Sequence, residues 1–218
     1  MLKFYYNPIS ANARRVWVAL LEKQIPFEPI LIDLGGEQFS DEFTAVNPLQ
    51  RIPVIIDDGF RVVESLAILD YLEAKYFTPS LMPIEVEAIA TVRMVENVAL
   101  NDLQPTTLPL TRQAIGLEVD SHKVEQARQR VERIMQFFES LLQGRKYFVS
   151  ERLTLADIVA GTLVSALPLF GFSMDAYPSV DGWMQRLEAR ESWQQTAIKP
   201  EMIQAALPKI REIIKRRS

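Results

Sequence analysis

A mixed α/β half followed by an all-helical half is the architecture this sequence predicts. Three observations carry the prediction. Between residues 2 and 76 strand and helix signals alternate in the order β-α-β, short helix, β-β-α. Pro79 and Pro83 then interrupt the chain within five residues. From residue 85 onward apolar side chains recur at three- and four-residue steps and no strand signal remains. The expected division is therefore 1–77, a linker at 78–84, and 85–218.

Residues 2–6 read as a short strand, and Asn7-Pro8-Ile9-Ser10 as a turn ending in a good N-cap residue. Residues 11–23 are helical by pattern, with Val16, Ala19 and Leu20 on one face, and 27–34 return as a strand. A β-α-β opening implies a parallel pair joined by a right-handed crossover. Gly35-Gly36 breaks the pattern, and 41–45 is at most a short helix. Asp57-Asp58-Gly59 between the apolar runs 54–56 and 61–63 is a hairpin signal, with a helix following at 65–76. Pro53 stands in front of the first hairpin strand and has no N–H to give a ladder. Glu64-Ser65 opens the helix, where free N–H groups and a hydroxyl suit a carboxylate. An unpaired strand edge beside a proline, close to an anion-binding helix start, can hold an extended peptide with a free carboxylate.

The second half reads as helices. A periodic segment at 85–103 meets Pro105 and Pro109, so a kink or break is expected there. Val124, Ala127, Val131, Ile134, Phe138 and Leu141 form one apolar face over 122–142, stopped by Gly144. At Thr154-Leu155-Ala156-Asp157, Thr154 is an N-cap and Asp157 accepts from its backbone N–H, with Leu153 and Ile158 as a hydrophobic staple. That signal marks a buried, structural helix. Shorter helices are expected at 178–190 and 191–197, and an amphipathic basic tail at 208–217.

Composition narrows the chemistry. Net charge is −4, and no basic face suggests nucleic acid. There is no cysteine, hence no disulfide, zinc–thiolate site or protein thiol nucleophile. The single histidine, His122, rules against a histidine triad or metal cluster and reads as a surface residue at a helix start. No metal is expected. The opening M-L-K-F-Y-Y-N-P is unlike a signal peptide and no apolar run is long enough to span a bilayer, so the expected compartment is the cytosol.

Leu49-Gln50-Arg51-Ile52-Pro53-Val54, followed by Glu64-Ser65-Leu66-Ala67-Ile68, resembles the glutathione-binding half of a cytosolic glutathione S-transferase. Ser10-Ala11-Asn12-Ala13-Arg14-Arg15-Val16 is similar to the Ser-x-x-x-x-Arg-Val segment of the serine-type, phi- and theta-like members. The Leu-Ala-Asp-Ile run at 155–158 also has a counterpart in that family. The resemblance covers essentially the whole chain and is strongest over 1–76. It implies a thioredoxin-like N-terminal domain, an all-helical C-terminal domain, and a homodimer using helices 85–103 and 122–142. It implies conjugation of glutathione to small hydrophobic electrophiles, as in detoxification. The same fold also serves non-catalytic binding proteins and glutathione-dependent peroxidases or reductases.

By that resemblance Pro53 is cis, Ile52 pairs its backbone with the cysteinyl part of glutathione, and Glu64 and Ser65 hold the γ-glutamyl end. Ser10 donates to the sulfur. A free thiol has a pKa of about 8.5, so a donor aimed at sulfur, plus the positive end of the first helix, stabilises the thiolate. Tyr6 is the rival donor, with Tyr5 beside it, and Asn12 and Arg14 are possible helpers on the first turn. At 36–39 the phi-class Gly-Glu-His-Lys run is replaced by Gly36-Glu37-Gln38-Phe39. Gln38 can still hydrogen-bond the glycyl end, Phe39 cannot replace a lysine, and Arg51 can compensate. The electrophile is expected to meet Ile9, Leu103, Thr106, Thr107, Leu110 and Phe170. An apolar-to-mixed lining of that kind suits a small hydrophobic molecule.

Overall fold

Side-chain alternation builds the sheet. In β1 (Leu2–Tyr6) Leu2 and Phe4 are buried while Lys3 is exposed. β1 pairs in parallel with β2 (Phe27–Leu31), from Leu2↔Phe27 to Tyr6↔Leu31. On its other side it pairs antiparallel with β3 (Val54–Asp57), which pairs antiparallel with β4 (Phe60–Val63). The strand order is β2-β1-β3-β4. The hairpin turns on Asp58 and Gly59, both at positive φ (50° and 83°), the backbone that an Asp-Gly pair supplies most readily. These elements come from a computed structural model that describes residues 1–199, 201, 202, 204, 207, 208, 210, 211 and 214.

Strand β2 stops at Leu31 and not at the expected residue 34. Its partner β1 has ended at Tyr6, and the Ile32 carbonyl is taken by the Asn7 side chain at 2.8 Å. Helix α1 (Ala11–Glu22) presents Val16, Ala19 and Leu20 to the core, as expected. A short α2 (Asp41–Val46), capped by Ser40, seats Phe43 in a cluster with Ile32 and Val54. Helix α3 is Ser65–Lys75. Its end is tied to the hairpin by Asp57, whose carboxylate accepts from Lys75 Nζ at 2.7 Å and from the hydroxyls of Tyr76 at 2.8 Å and Tyr71 at 3.0 Å. Burial works to raise the Asp57 pKa, but these donors outweigh it and hold the carboxyl below its ordinary value. The Tyr76 phenol, half-buried beside that carboxylate, is pushed up to about 12 by partial burial and by its bond to Asp57.

This sheet and its helices form one unit, residues 1–80, which also takes in a segment beginning at Ser192. That segment, expected with the helical half, thus packs with the sheet. Thr196 Oγ1 accepts from Arg14 Nε at 3.4 Å, and the Ser192 hydroxyl donates to Glu22. Those bonds attach the segment to α1 of the first unit. Its helix is α9 (Glu191–Gln195).

The second unit begins at Leu81. Helix α4 (Val86–Asn97) does not break before Pro105. It passes through a π-helical turn, Val98–Leu103, into α5 (Gln104–Ala114), which contains Pro109. A wider turn lets the chain accommodate a proline that lacks an N–H, so where a kink or break was expected the helix changes its hydrogen bonding locally without breaking. Helix α6 (Ser121–Leu142) buries Val124, Ala127, Val131, Ile134, Met135, Phe138 and Leu142. Every residue of α7 (Leu155–Val164) is buried. Asp157 anchors it, accepting from Thr154 N and Oγ1 (both 2.8 Å), Trp183 Nε1 (2.9 Å) and Phe148 N (3.1 Å). Burial pushes the Asp157 carboxyl up, and the four donors pull against it. At α8 (Pro178–Glu188) the first N–H groups are capped by a carboxylate from another helix. Glu139 accepts from Ser179 N at 3.0 Å and Val180 N at 2.9 Å. Burial opposes ionisation of Glu139, yet the Ser179 hydroxyl and these two N–H groups hold its pKa below the ordinary value.

Among the described residues no helix is long and apolar enough to cross a membrane. The tail expected at 208–217 lies largely outside the described residues.

Candidate functional site

The first unit builds a site from two turns, one before α1 and one before β3, and from the start of α3. In the first, Asn7 organises the path from β1 to α1. Its Oδ1 accepts from Ile9 N at 3.1 Å, and its carbonyl accepts from Ser10 N at 3.0 Å. Ser10 then caps α1, its Oγ accepting from Ala13 N at 3.3 Å. A hydroxyl that accepts through oxygen keeps its hydrogen for another partner. Capping and donation to a ligand are therefore compatible in one side chain.

Tyr6 faces the α1 layer, its ring stacked on Phe4 at 5.1 Å and edge-on to Trp17 at 5.0 Å. Tyr5 faces the opposite layer, against Phe43. Arg14 is buried and bonded to Thr196, which holds its guanidinium on the α9 segment. Asn12 lies half-buried on the first turn.

The second turn runs from α2 to β3. Buried Asn47 holds it, donating from Nδ2 to the Arg51 carbonyl at 2.7 Å and accepting at Oδ1 from Leu49 N at 3.0 Å. The Ile52–Pro53 peptide is cis, as expected. The ladder between β1 and β3 begins only at Tyr5↔Val54, so Ile52 lies outside it. The Ile52 side chain packs against the cluster of Ile32, Phe43 and Val54. Arg51 is exposed.

At the start of α3, Glu64 has φ 69° and ψ 123°, a backbone that non-glycine residues seldom adopt. Glu64, exposed, is the N-cap residue and its side chain makes no capping bond. Ser65 is the first helical residue, buried, and its Oγ accepts from Nη1 of the fully buried Arg15 at 3.4 Å. No acidic side chain lies in the first turn of α3, so its N–H groups are open to an external anion.

Gln38 is committed elsewhere. It is buried, donates to the Leu34 carbonyl at 3.0 Å and accepts from Gly36 N at 3.2 Å. Both ends of its amide are thus used inside the 34–38 loop, while Phe39 is 47% exposed.

Of the residues expected to meet the electrophile, Leu103 and Leu110 are corrected to core. They are 0% and 1% exposed, one helical face apart by seven positions. Thr106, Thr107 and Phe170 are half-buried in the second unit, and Ile9 is half-buried in the first.

Three residues of the site were missed in the sequence. Asn7 and Asn47 each stand in an Asn-Pro pair, and that dipeptide is the signal for an Asx turn. Arg15 sits at a core position of α1, and a basic residue on an apolar face was its signal. Among the described residues no group of three or more His, Cys, Asp and Glu could hold a metal ion.

Comparison with known proteins gives one family. The N-terminal domain of glutathione S-transferases matches residues 4–80, and the C-terminal domain matches residues 72–191. A glutathione S-transferase of Hypomyces subiculosus is 30% identical, covering 88% of this chain and 96% of that protein. A maleylacetoacetate isomerase of Rattus norvegicus is 31% identical, covering 85% of this chain and 87% of that protein. The structure of human glutathione transferase theta-2 in complex with glutathione is 27% identical, with a TM-score of 0.80, covering 96% of this chain and 98% of that one.

Proposed function

The chain belongs to the glutathione S-transferase family, and we propose that it conjugates the glutathione thiolate to small hydrophobic electrophiles in a detoxifying role. That it is an enzyme of this family and uses glutathione rests on matches to both halves of the chain and on glutathione-bound relatives. The observation that carries the reading is the pair of helix starts at one end of the sheet, where β1 and β4 both finish. Ser10 stands at one, and Glu64 with Ser65 at the other, with Ile52 outside the ladder between them in sequence.

In this reading the Ser10 hydroxyl hydrogen points to the sulfur, and the N-terminus of α1 stabilises the anion. The Ile52 main chain pairs with the cysteinyl residue. Ser65 and the free N–H groups of α3 hold the γ-glutamyl carboxylate, and Glu64 holds its ammonium group. Arg51 is exposed and takes the glycyl carboxylate, since Gln38 is spent within its own loop. The thiolate then attacks the electrophile and a carbon–sulfur bond forms; from an aryl halide the halide departs with its electron pair, and in an isothiocyanate the C=N π pair moves to nitrogen, which takes up a proton. Ile9, Thr106, Thr107 and Phe170 keep the accessible surface needed for electrophile contact. A homodimer in the cytosol belongs to the same reading. Exposed Ile84, Val86 and Met94, at and beside α4, support its interface there.

One panel tests this. Glutathione is supplied with an aryl halide, an isothiocyanate, an organic hydroperoxide, a mixed disulfide and a maleyl diacid, and turnover is compared. Fastest turnover of the aryl halide or isothiocyanate is expected. Turnover confined to the hydroperoxide or the disulfide would replace conjugation with peroxidase or reductase chemistry. Similarity to maleylacetoacetate isomerases favours a second reading, glutathione-dependent isomerisation, which turnover of the maleyl diacid alone would establish.

A further inference from the structure

A cavity of about 400 Å³ opens in the second unit where the turn after α6 meets the first turns of α8. Arg145, Lys146 and Arg186 line it, against one lining carboxylate, Glu151. Lys146 and Glu151 pair with each other at 2.6 Å. The two guanidinium groups have no carboxylate partner among the described residues. Each is instead pinned by one bond to a main-chain carbonyl. Arg145 Nη1 donates to Phe148 O at 3.2 Å, and Arg186 Nε donates to Lys146 O at 3.1 Å. A guanidinium carries five N–H donors, so most remain available on groups that are already held in place.

Gly182 also lines the cavity, and a Cβ there would stand 3.4 Å from Arg186 Nη1. Glycine is a poor helix former, and at this position its missing side chain leaves room beside the guanidinium. The N-terminus of α8 is not the attraction, because Glu139 already occupies the N–H groups of Ser179 and Val180.

We propose that this cavity binds a small soluble anion carrying a phosphate monoester group, at a site separate from the glutathione site. Two pre-positioned guanidinium forks match the oxygens of a phosphate bidentately, whereas lone lysines supply point charge only. The volume falls within the range of small-ligand pockets and exceeds what a bare chloride fills. A membrane headgroup is disfavoured. None of the residues lining the cavity is an exposed large apolar side chain, so its wall offers nothing to enter a bilayer.

The test is calorimetric titration of the full chain with inorganic phosphate, in the presence of saturating glutathione so that the glutathione site is filled. Saturable binding is expected. Arg145→Gln and Arg186→Gln should each weaken it about tenfold or more, while Arg133→Gln, at an exposed position of α6, leaves it unchanged. Glu151→Gln should tighten it, a gain that misfolding cannot mimic. Glutathione affinity should be the same in all four variants. No saturable phosphate binding in the unaltered protein, or binding indifferent to both arginine variants and to Glu151→Gln, would overturn the proposal. Co-sedimentation with phosphatidic acid vesicles without binding of inorganic phosphate would overturn it as well.

Discussion

Arg15 Nη1 donates to Ser65 Oγ at 3.4 Å, and both side chains are buried. The bond links the helix that Ser10 caps to the helix that Ser65 begins. Because the Ser65 oxygen accepts from Arg15, the hydroxyl hydrogen is left to donate outward. A carboxylate at the start of α3 would therefore meet an oriented donor and the free N–H groups of the helix in one place.

Ser65→Ala should remove that donor and raise the KM for glutathione about tenfold or more, since a hydrogen bond to a charged group is worth about 1.5–3 kcal/mol. Glu64→Ala should do the same through loss of the contact to the ammonium group. Steady-state kinetics with varied glutathione checks both. An unchanged KM in the two variants would move the γ-glutamyl site elsewhere.

Ser10→Ala should shift the acidic limb of the kcat/KM profile upward in pH. Loss of a donor to the thiolate raises the thiol pKa in the complex, and one unit is about 1.4 kcal/mol, or tenfold in thiolate when the pKa lies above the assay pH. The lost cap separately lowers stability by about 0.5–2 kcal/mol. Tyr6→Phe should leave the limb in place, since its ring is held between Phe4 and Trp17. If Tyr6→Phe moves the limb and Ser10→Ala does not, the phenol is the donor and Ser10 is only a cap.

Asp57→Asn should destabilise the first unit at neutral pH by about 1–3 kcal/mol, because Lys75, Tyr71 and Tyr76 all donate to that carboxylate. The folded pKa of Asp57 is lowered from its ordinary 3.8. Its contribution is thus fully present above the unfolded value and is lost as pH falls through the folded one. Urea denaturation of wild type and variant should differ at pH 7 and converge in acid. A constant difference down to the acid limit would show that the loss is not tied to the charge. Glu139→Gln should behave alike at α8, since the Glu139 pKa is also lowered, from its ordinary 4.5.

Leu103→Ala should cost about 2–5 kcal/mol of stability, as expected for a core leucine, with little change in electrophile preference. Thr106→Ala should do the reverse, altering the ratio of kcat/KM between electrophiles at nearly constant stability. Thermal melts and paired substrate assays separate the two. A Leu103 variant that melts like wild type would return that residue to the list of surface contacts.

The local pattern by itself determined the order of elements, the hairpin on Asp57-Asp58-Gly59, the caps at Ser10 and Thr154, and the candidate stretch from Ile52 to Ser65. Each depends on chemistry within a few residues: an Asp-Gly pair that accepts positive φ, a hydroxyl one turn from a free N–H, a proline without a donor. Tertiary packing decided what those signals could not reach. Arg15 and Ser65 are 50 positions apart, and Arg14 and Thr196 are 182 apart, so no window of sequence pairs them. The same holds for Gln38, whose amide was free on paper and is used up by the fold of its own loop. Leu103 and Leu110 read as lining or as core equally well from periodicity. Only packing of the whole helix, which buries one face and leaves the other to solvent, decided between them.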